Sequence, residues 1–266
     1  MNYVHGYHPR ENTRLQDQAS TLEELLHVDT EFPPGSRVLE AGCGVGAQTI
    51  TLARTSPRAW ITAVDISEAS VSEARKKIGE AGYKNVEFRQ GDIFQLPFEP
   101  ESFDHIFVCF VLEHLKKPVE ALKGLKKLLK SGGTMTVIEG DHGSAYFFPD
   151  SEAARKAIQC QVELQKRAGG NANMGRELYP LLKGADFESI HVSPRMVYVD
   201  STKPRLVEGF TLNTFTAMIE GVREASIGAG LIDPETFGEG IKGLTRTTEP
   251  DGVFCYTFFK AFATKA

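Results

Sequence analysis

The 266-residue sequence predicts an α/β fold, a mostly parallel sheet covered by helices on both faces. Three observations predict it. From Ser36 onward, short β-rich runs alternate with amphipathic helical stretches. The strand runs are almost continuously apolar, the pattern of strands buried on both faces. Gly42, Gly44 and Gly46 fall at the first strand-to-helix junction, where backbone freedom has a structural use.

"SRVLEAG" (Ser36 to Gly42) reads as the first strand and "AQTITLARTS" as the helix after it. "AWITAVDIS" is the second strand, followed by the helix "SEASVSEARKKIGEAGY" with Ser67 as its N-cap. "NVEFRQGD" is the third strand and "FDHIFVCFVLEHL" the fourth. "PVEALKGLKKLLKSGG" reads as a helix closed by Gly132 and Gly133, and "TMTVIEGD" as the fifth strand. The rhythm then changes. "SEAARKAIQCQVELQKRAGG" is a helix, "GRELYPLLKGADF" a helix broken near Pro180, and "ESIHVSPRMVYVD" a strand. Residues 203 to 250 mix helix and loop, and "GVFCYTFFKAFATKA" is a final aromatic strand.

The glycine turn is suited to a polar or anionic group pressed against it, although a tight turn can also stand without a ligand. Glycine tolerates positive φ and lets main chain approach a bound group with no Cβ between them. The start of a helix adds free N–H groups and the positive end of a dipole. The turn lies beyond the carboxyl end of a strand, where open α/β sheets bind ligands. Asp65 ends the second strand, where its carboxylate can accept both hydroxyls of a ribose. Gly42-x-Gly44-x-x-Ala47 also satisfies the dinucleotide fingerprint, so by itself the turn does not separate a nicotinamide enzyme from other nucleotide binders.

The totals narrow the classes. Hydrophobic residues make up 41% and charged residues 24%, as in a soluble globular protein. A net charge of -5 argues against a nucleic-acid partner. The longest apolar run, Ile106 to Leu112, is of strand length, which argues against a membrane span. The first residues lack the apolar segment of a secretory signal. Cys43, Cys109, Cys160 and Cys255 are far apart, which reads as four reduced thiols in a cytoplasmic protein with no metal site.

Further stretches bear on the ligand. Glu40 precedes the turn in "EAGCGVG", Asp92 stands in "GDIFQLPF", and "FVLEHL" leaves the fourth strand. With the turn and Asp65 in that order, these resemble the class I S-adenosylmethionine-dependent methyltransferases, in particular the UbiE-like group, over about residues 36 to 142. The resemblance implies a Rossmann-like three-layer sandwich of seven strands, the last antiparallel, with S-adenosylmethionine as cofactor and S-adenosylhomocysteine as product. It places Glu40, Ala41, Gly42 and Gly44 along the methionine part of the cofactor, and Asp65 on the ribose with Ile66 beside the adenine. Gly91, Asp92 and Ile93 would hold the adenine, Cys109, Phe110 and Val111 would pass near the sulfonium, and His114 would lie at the rim. This chain departs from the family in placing about 50 residues between the sixth and seventh strands.

Residues 1–35 read as an N-terminal helical cap over the cofactor site, with Tyr7 and Arg14 closing on the cofactor. Residues 36–266 read as the methyltransferase domain, with helical lid insertions at about 143–185 and 203–250 on the substrate side. Methyl transfer needs a nucleophile held in line and water excluded; a base is needed only where the nucleophile carries a proton. Glu139, Asp141 and His142 are candidates, and His142 has the most suitable intrinsic pKa. "FVLEHL" stands where an Asn/Asp-Pro-Pro-Tyr element would mark exocyclic-amine methylation, and no Pro-Cys nucleophile is present. A small-molecule acceptor is the reading that remains, and an edge strand could support a homodimer. The competing classes are an NAD(P)-dependent oxidoreductase, for which no suitable Tyr-x-x-x-Lys is found, and a non-catalytic S-adenosylmethionine-binding module.

Overall fold

Strand propensity, glycine turns and apolar helix faces combine into one mixed sheet in the computed structural model, which describes residues 21–266. Helix α1 covers 21–27. The strands are β1 Arg37–Ala41, β2 Trp60–Asp65, β3 Val86–Gln90, β4 Phe103–Cys109, β5 Leu129–Phe148, β6 Glu188–Val199 and β7 Val253–Thr264. Their order in the sheet is β3-β2-β1-β4-β5-β7-β6. Pairs β1–β2, β1–β4, β2–β3 and β4–β5 are parallel. Lys265 pairs with Gly132 and Gly133 near the start of β5, while Thr257 meets Ser144 farther on, so β7 runs against β5. The expected seven-stranded, mostly parallel sheet with an antiparallel last strand is the one observed.

The helices between strands follow from sequence. Ser67 caps α3 (Glu68–Glu80) by accepting the Ser70 N–H, as its position predicts. Pro118 opens α4 (Pro118–Leu128), where a missing N–H has no consequence. Pro180 lies in the first turn of α6 (Leu178–Gly184), so it starts that helix rather than breaking it. Helix α2 is short, Thr49–Thr55.

Two boundaries differ from expectation. Helix α4 stops at Leu128, and β5 runs for 20 residues instead of beginning at Thr134. The cause is pairing: Gly132 donates to the Lys265 carbonyl and Lys265 donates to that of Gly133, which draws the helix-like tail "LKSGG" into the sheet. At the other end, β5 continues through Tyr146, Phe147 and Phe148.

The chain divides into two compact units. One comprises Leu26–Glu139, Met174–Pro194 and Phe259–Ala266. Its core joins Leu39, Ile106, Val108, Leu122, Leu125 and Val137 to α6 and the end of β7. The other comprises Gly140–Asn173 and Arg195–Phe258, together with residues 21–25. It holds α5 (Glu152–Arg167), α7 (Pro204–Leu206), a π-helical segment Val207–Thr216, α8 (Ala217–Gly221), α9 (Arg223–Gly228) and α10 (Pro234–Arg246). Helices α5 and α10 pack at glycine: a Cβ on Gly240 would lie 2.6 Å from the Ala153 carbonyl oxygen. Cys43, Cys109 and Cys160 are buried, Cys255 is half-buried, and all four are free thiols, as their spacing predicts. Among the described residues no helix is long and apolar enough to cross a membrane.

Candidate functional site

The three glycines after β1 meet three different demands. Gly42 has φ +89°, and a Cβ there would lie 2.3 Å from Val111 Cγ2. It is bare because the loop after β4 packs on it. Gly46 has φ +78° and would press a Cβ to 3.0 Å from Ala74 Cβ, so it sets the close approach of α3. Gly44 has φ +51° with nothing within 4 Å of its absent Cβ. Its open main chain is the part of the turn that a ligand can approach. The turn is tied to β2 by the Gly42 and Cys43 N–H groups, both donating to the Val64 carbonyl at 2.7 and 2.9 Å.

Two carboxylates flank the turn. Asp65 Oδ2 accepts the Gly44 N–H at 2.9 Å, and its Oδ1 accepts the Ser67 N–H at 2.9 Å. The side chain therefore holds the glycine turn to the start of α3. Glu40 is 2% exposed and accepts a 2.6 Å bond from the Thr49 hydroxyl. Burial pushes its carboxyl up to about 7; the Thr49 bond opposes the rise and the charge of Asp65 adds to it. On the other side of the turn, His27 bonds Gln48 at 2.7 Å, and its burial lowers the imidazole to about 4.

The end of β2 leaves an apolar side chain in solvent. Ile66 is 43% exposed directly after β2. Gly91 donates to the Asp65 carbonyl at 2.9 Å, joining the ends of β2 and β3. Asp92 is exposed and folds its own turn by accepting the Phe94 N–H at 3.0 Å. Ile93 packs against the core beside it.

The exit from β4 is held by a residue of β5. Phe110 adopts φ +57°, a sparsely populated conformation for a non-glycine residue. Cys109 before it is buried. Glu139, fully buried, accepts the N–H groups of Val111 at 3.0 Å and Leu112 at 2.7 Å on the same oxygen. Burial, followed by the charge of Glu113, raises its carboxyl well above the usual range. His114 lies 3.6 Å from the Glu113 carboxylate in the turn that follows. In sequence Glu139 reads as a candidate base; in the structure it shapes this loop, a role hidden until β4 and β5 are paired.

Glu40, Ala41, Gly42, Gly44, Asp65, Ile66, Gly91, Asp92, Ile93, Cys109, Phe110, Val111 and His114 thus converge at the carboxyl ends of β1 to β4 in the first unit. Tyr7 and Arg14 lie outside the described residues. Thr49, Gln48 and His27 escape sequence reasoning, although a buried Glu40 beside a helix start implies some hydroxyl donor. His142 belongs to the second unit, where Nδ1 lies 2.8 Å from the Tyr256 hydroxyl and the main-chain N–H of His142 donates to the Ala172 carbonyl at 3.0 Å.

Residues 33–186, more than half of the chain, match a family described as "Methyltransferase domain". The chain belongs to this family. Among curated relatives, an uncharacterized 37.1 kDa protein in a Streptomyces fradiae transposon is 30% identical over 222 residues, covering 78% of this chain and 63% of that protein. A Staphylococcus aureus demethylmenaquinone methyltransferase is 34% identical over 124 residues, covering 46% and 51%. The chain spans less than two thirds of the length of each. Among solved structures, a Haemonchus contortus phosphoethanolamine N-methyltransferase complex with S-adenosylhomocysteine has a TM-score of 0.58 at 18% identity, covering 94% of this chain and 53% of that one. The cyclase SpnF has a TM-score of 0.56 at 18% identity, covering 94% and 80%. Methyltransferase-domain proteins and this chain share the fold, as its motif order implies.

Proposed function

We propose that the protein is an S-adenosylmethionine-dependent methyltransferase acting on a small-molecule acceptor. The observation that carries the reading is the open main chain of Gly44, held at φ +51° and anchored through its N–H to Asp65. The bare main chain of Gly44 and an exposed Ile66 at the same strand ends suit a ligand with an amino-acid part and a nucleoside part. Family membership and the ordered motifs from Glu40 to His114 support that ligand over NAD(P).

Glu40 to Gly44 would line the methionine part, Asp65 and Ile66 would hold the ribose and adenine, and Asp92 with Ile93 would close on the adenine edge. The cofactor, when bound, supplies a methyl group on a positive sulfur that keeps the C–S electron pair as the methyl leaves. The chain's own tasks are to place the acceptor, keep water out and take up any proton the nucleophile loses. Glu139 fixes the Val111–Leu112 main chain for the first of these tasks. His142 is the proposed base. Tyr7 and Arg14 of the 1–35 segment would close over the cofactor, and 143–185 and 203–250 would select the acceptor.

Calorimetry tests the cofactor. S-Adenosylhomocysteine should bind with micromolar affinity, NADH and NADPH should give no heat, and Gly44→Val should abolish the signal. Heat with NADPH alone would replace this reading with the oxidoreductase one. The likeness to a cyclase makes turnover a separate question, answered by release of S-adenosylhomocysteine over a panel of hydroxyl, amine and thiol acceptors.

A further inference from the structure

The first unit carries a concentration of positive charge that its fold does not require. Of the fifteen residues from Lys116 to Lys130, six are lysine, one (Glu120) is acidic and none is arginine, in a chain whose net charge is -5. Helix α4 turns Ala121, Leu122, Leu125 and Leu128 into the core. That leaves Glu120, Lys123 and Lys127 exposed on its outward face, at i, i+3 and i+7. Lys126 and Lys127 occupy the last turn, where cations complement the helix dipole. Lys116 and Lys117 stand just before Pro118, at the positive end of the same dipole, which opposes them. The stability of α4 therefore explains the pair at its end and not the pair at its start.

Neighbouring acids do not neutralise this face. Glu120 lies 3.0 Å from Lys117 and Asp186 lies 3.7 Å from Lys123, and all four side chains are exposed. Ion pairs at such exposure gain little, so their charges stay available to a further partner. Among the described residues, the ammonium groups of Lys116 and Lys127 have no ion pair or hydrogen bond. Helix α6 packs beside α4: a Cβ on Gly184 would lie 3.8 Å from the Val119 side chain. It adds Lys183, whose Nζ lies 6.0 Å from the centre of the Tyr179 ring, and Tyr179 is 50% exposed.

The type of cation selects the partner. Lysine carries a compact, strongly hydrated charge on a flexible stem, whereas arginine offers a rigid fork for two-pronged bonds to carboxylate or phosphate. Protein interfaces are depleted in lysine and enriched in arginine. Lysines without arginine suit a diffuse anionic surface, which attracts through its potential and asks for no fixed pairing. Tyrosine, with an apolar ring and a polar tip, fits the boundary between water and lipid.

We propose that the lysine face of α4, with Lys183 and Tyr179 of α6, holds the protein against an anionic lipid bilayer. The contact is peripheral, with the ammonium groups at the level of the headgroups. Each lysine near such a surface raises the affinity about fivefold, so the attraction comes from several acting together. It fades as salt shortens the range of the potential.

Co-sedimentation with vesicles tests the proposal. At low salt the full chain should pellet with vesicles of phosphatidylcholine and phosphatidylglycerol in equal parts, stay in solution with phosphatidylcholine alone, and be released by high salt. Lys116→Gln, Lys123→Gln and Lys127→Gln together should weaken binding by about 100-fold. Arg58→Gln, Lys76→Gln and Lys84→Gln together remove the same charge elsewhere in the unit and should weaken it by no more than about threefold. All six positions are exposed, where substitution changes stability little. No pelleting with the anionic vesicles, equal losses in the two triple variants, or retention on phosphatidylcholine alone overturns the proposal. So does a shift of duplex DNA without vesicle binding, which would assign the lysines to nucleic acid. Failure of S-adenosylhomocysteine to bind would instead overturn the methyltransferase reading and leave the vesicle result standing.

Discussion

At the end of β1, position is fixed by main chain. Gly42 and Gly44 take left-handed conformations that few other residues adopt, and the N–H groups of the turn are tied to Val64 and Asp65. Around Tyr256, position is fixed by side chains. Phe210 and Phe215 of the π-helical segment meet Phe254, Tyr256 and Phe258 of β7 edge-on or tilted, with the paired centroids 4.7 to 6.0 Å apart. The first arrangement tolerates almost no change of residue type and gains specificity from local geometry. The second tolerates change of identity as long as volume and shape are kept. A site built the first way suits a ligand that never varies; one built the second way suits a partner that differs among relatives.

That contrast can be broken from either side. Phe215→Ala empties a fully buried ring position and should lower stability by about 3–5 kcal/mol in urea unfolding. Its affinity for S-adenosylhomocysteine should stay within about twofold. A collapse of cofactor affinity in this variant would mean that the two regions are not separately built.

The next effect is a pH dependence. Glu40 is raised in the folded state to about 7, whereas unfolded it titrates near 4.5. The folded protein therefore holds more protons between those values, and stability falls as pH rises through that window. The shift corresponds to roughly 3 kcal/mol, and Glu40→Gln should remove that part of the slope. His27 works in the other direction: lowered from 6.5 to about 4, it makes stability rise over that range as pH rises. Comparing unfolding of Glu40→Gln and wild type at pH 4.5 and 7 isolates the Glu40 contribution. Equal slopes would mean that Glu40 stays charged.

Asp65→Ala should weaken S-adenosylhomocysteine binding by roughly 30–100-fold, about 2–3 kcal/mol, measured by calorimetry. Unchanged affinity would leave Asp65 with only the turn to hold. Smallest is Ser67→Ala, which removes the cap of α3 and should cost about 1 kcal/mol in thermal unfolding. A loss several times larger would show that Ser67 also shapes the turn through Asp65.

The same division explains what could be read in advance. Strands β1, β2 and β4 were legible because burial makes them largely apolar runs, and the glycine turn because positive φ selects one residue type. The end of α4 was not, since "LKSGG" has helical chemistry and becomes strand only through pairing with Lys265, far along the chain. Glu139 looked like a reactive carboxylate because its partners, the N–H groups of Val111 and Leu112, belong to main chain that any sequence carries. The π-helical row of Phe210 and Phe215 has no signature in a 3.6-residue period. The need for glycine at Gly140, where a Cβ would lie 2.5 Å from the Tyr256 hydroxyl oxygen, becomes visible only once Tyr256 is seen against it.

Strand β7 follows all the others in the chain yet lies between β5 and β6 in the sheet. Its Lys260, 7% exposed, donates to the Leu26 carbonyl at 3.1 Å, to Asp29 at 2.5 Å and to the Thr30 hydroxyl at 2.6 Å, bonds that span 230 to 234 positions. During vectorial synthesis, β5 must therefore wait with a bare edge, and the end of α1 without its Lys260 bonds, until β7 emerges. Such long-range closure is slow, and the waiting edge is the part of the nascent chain that a chaperone would have reason to shield.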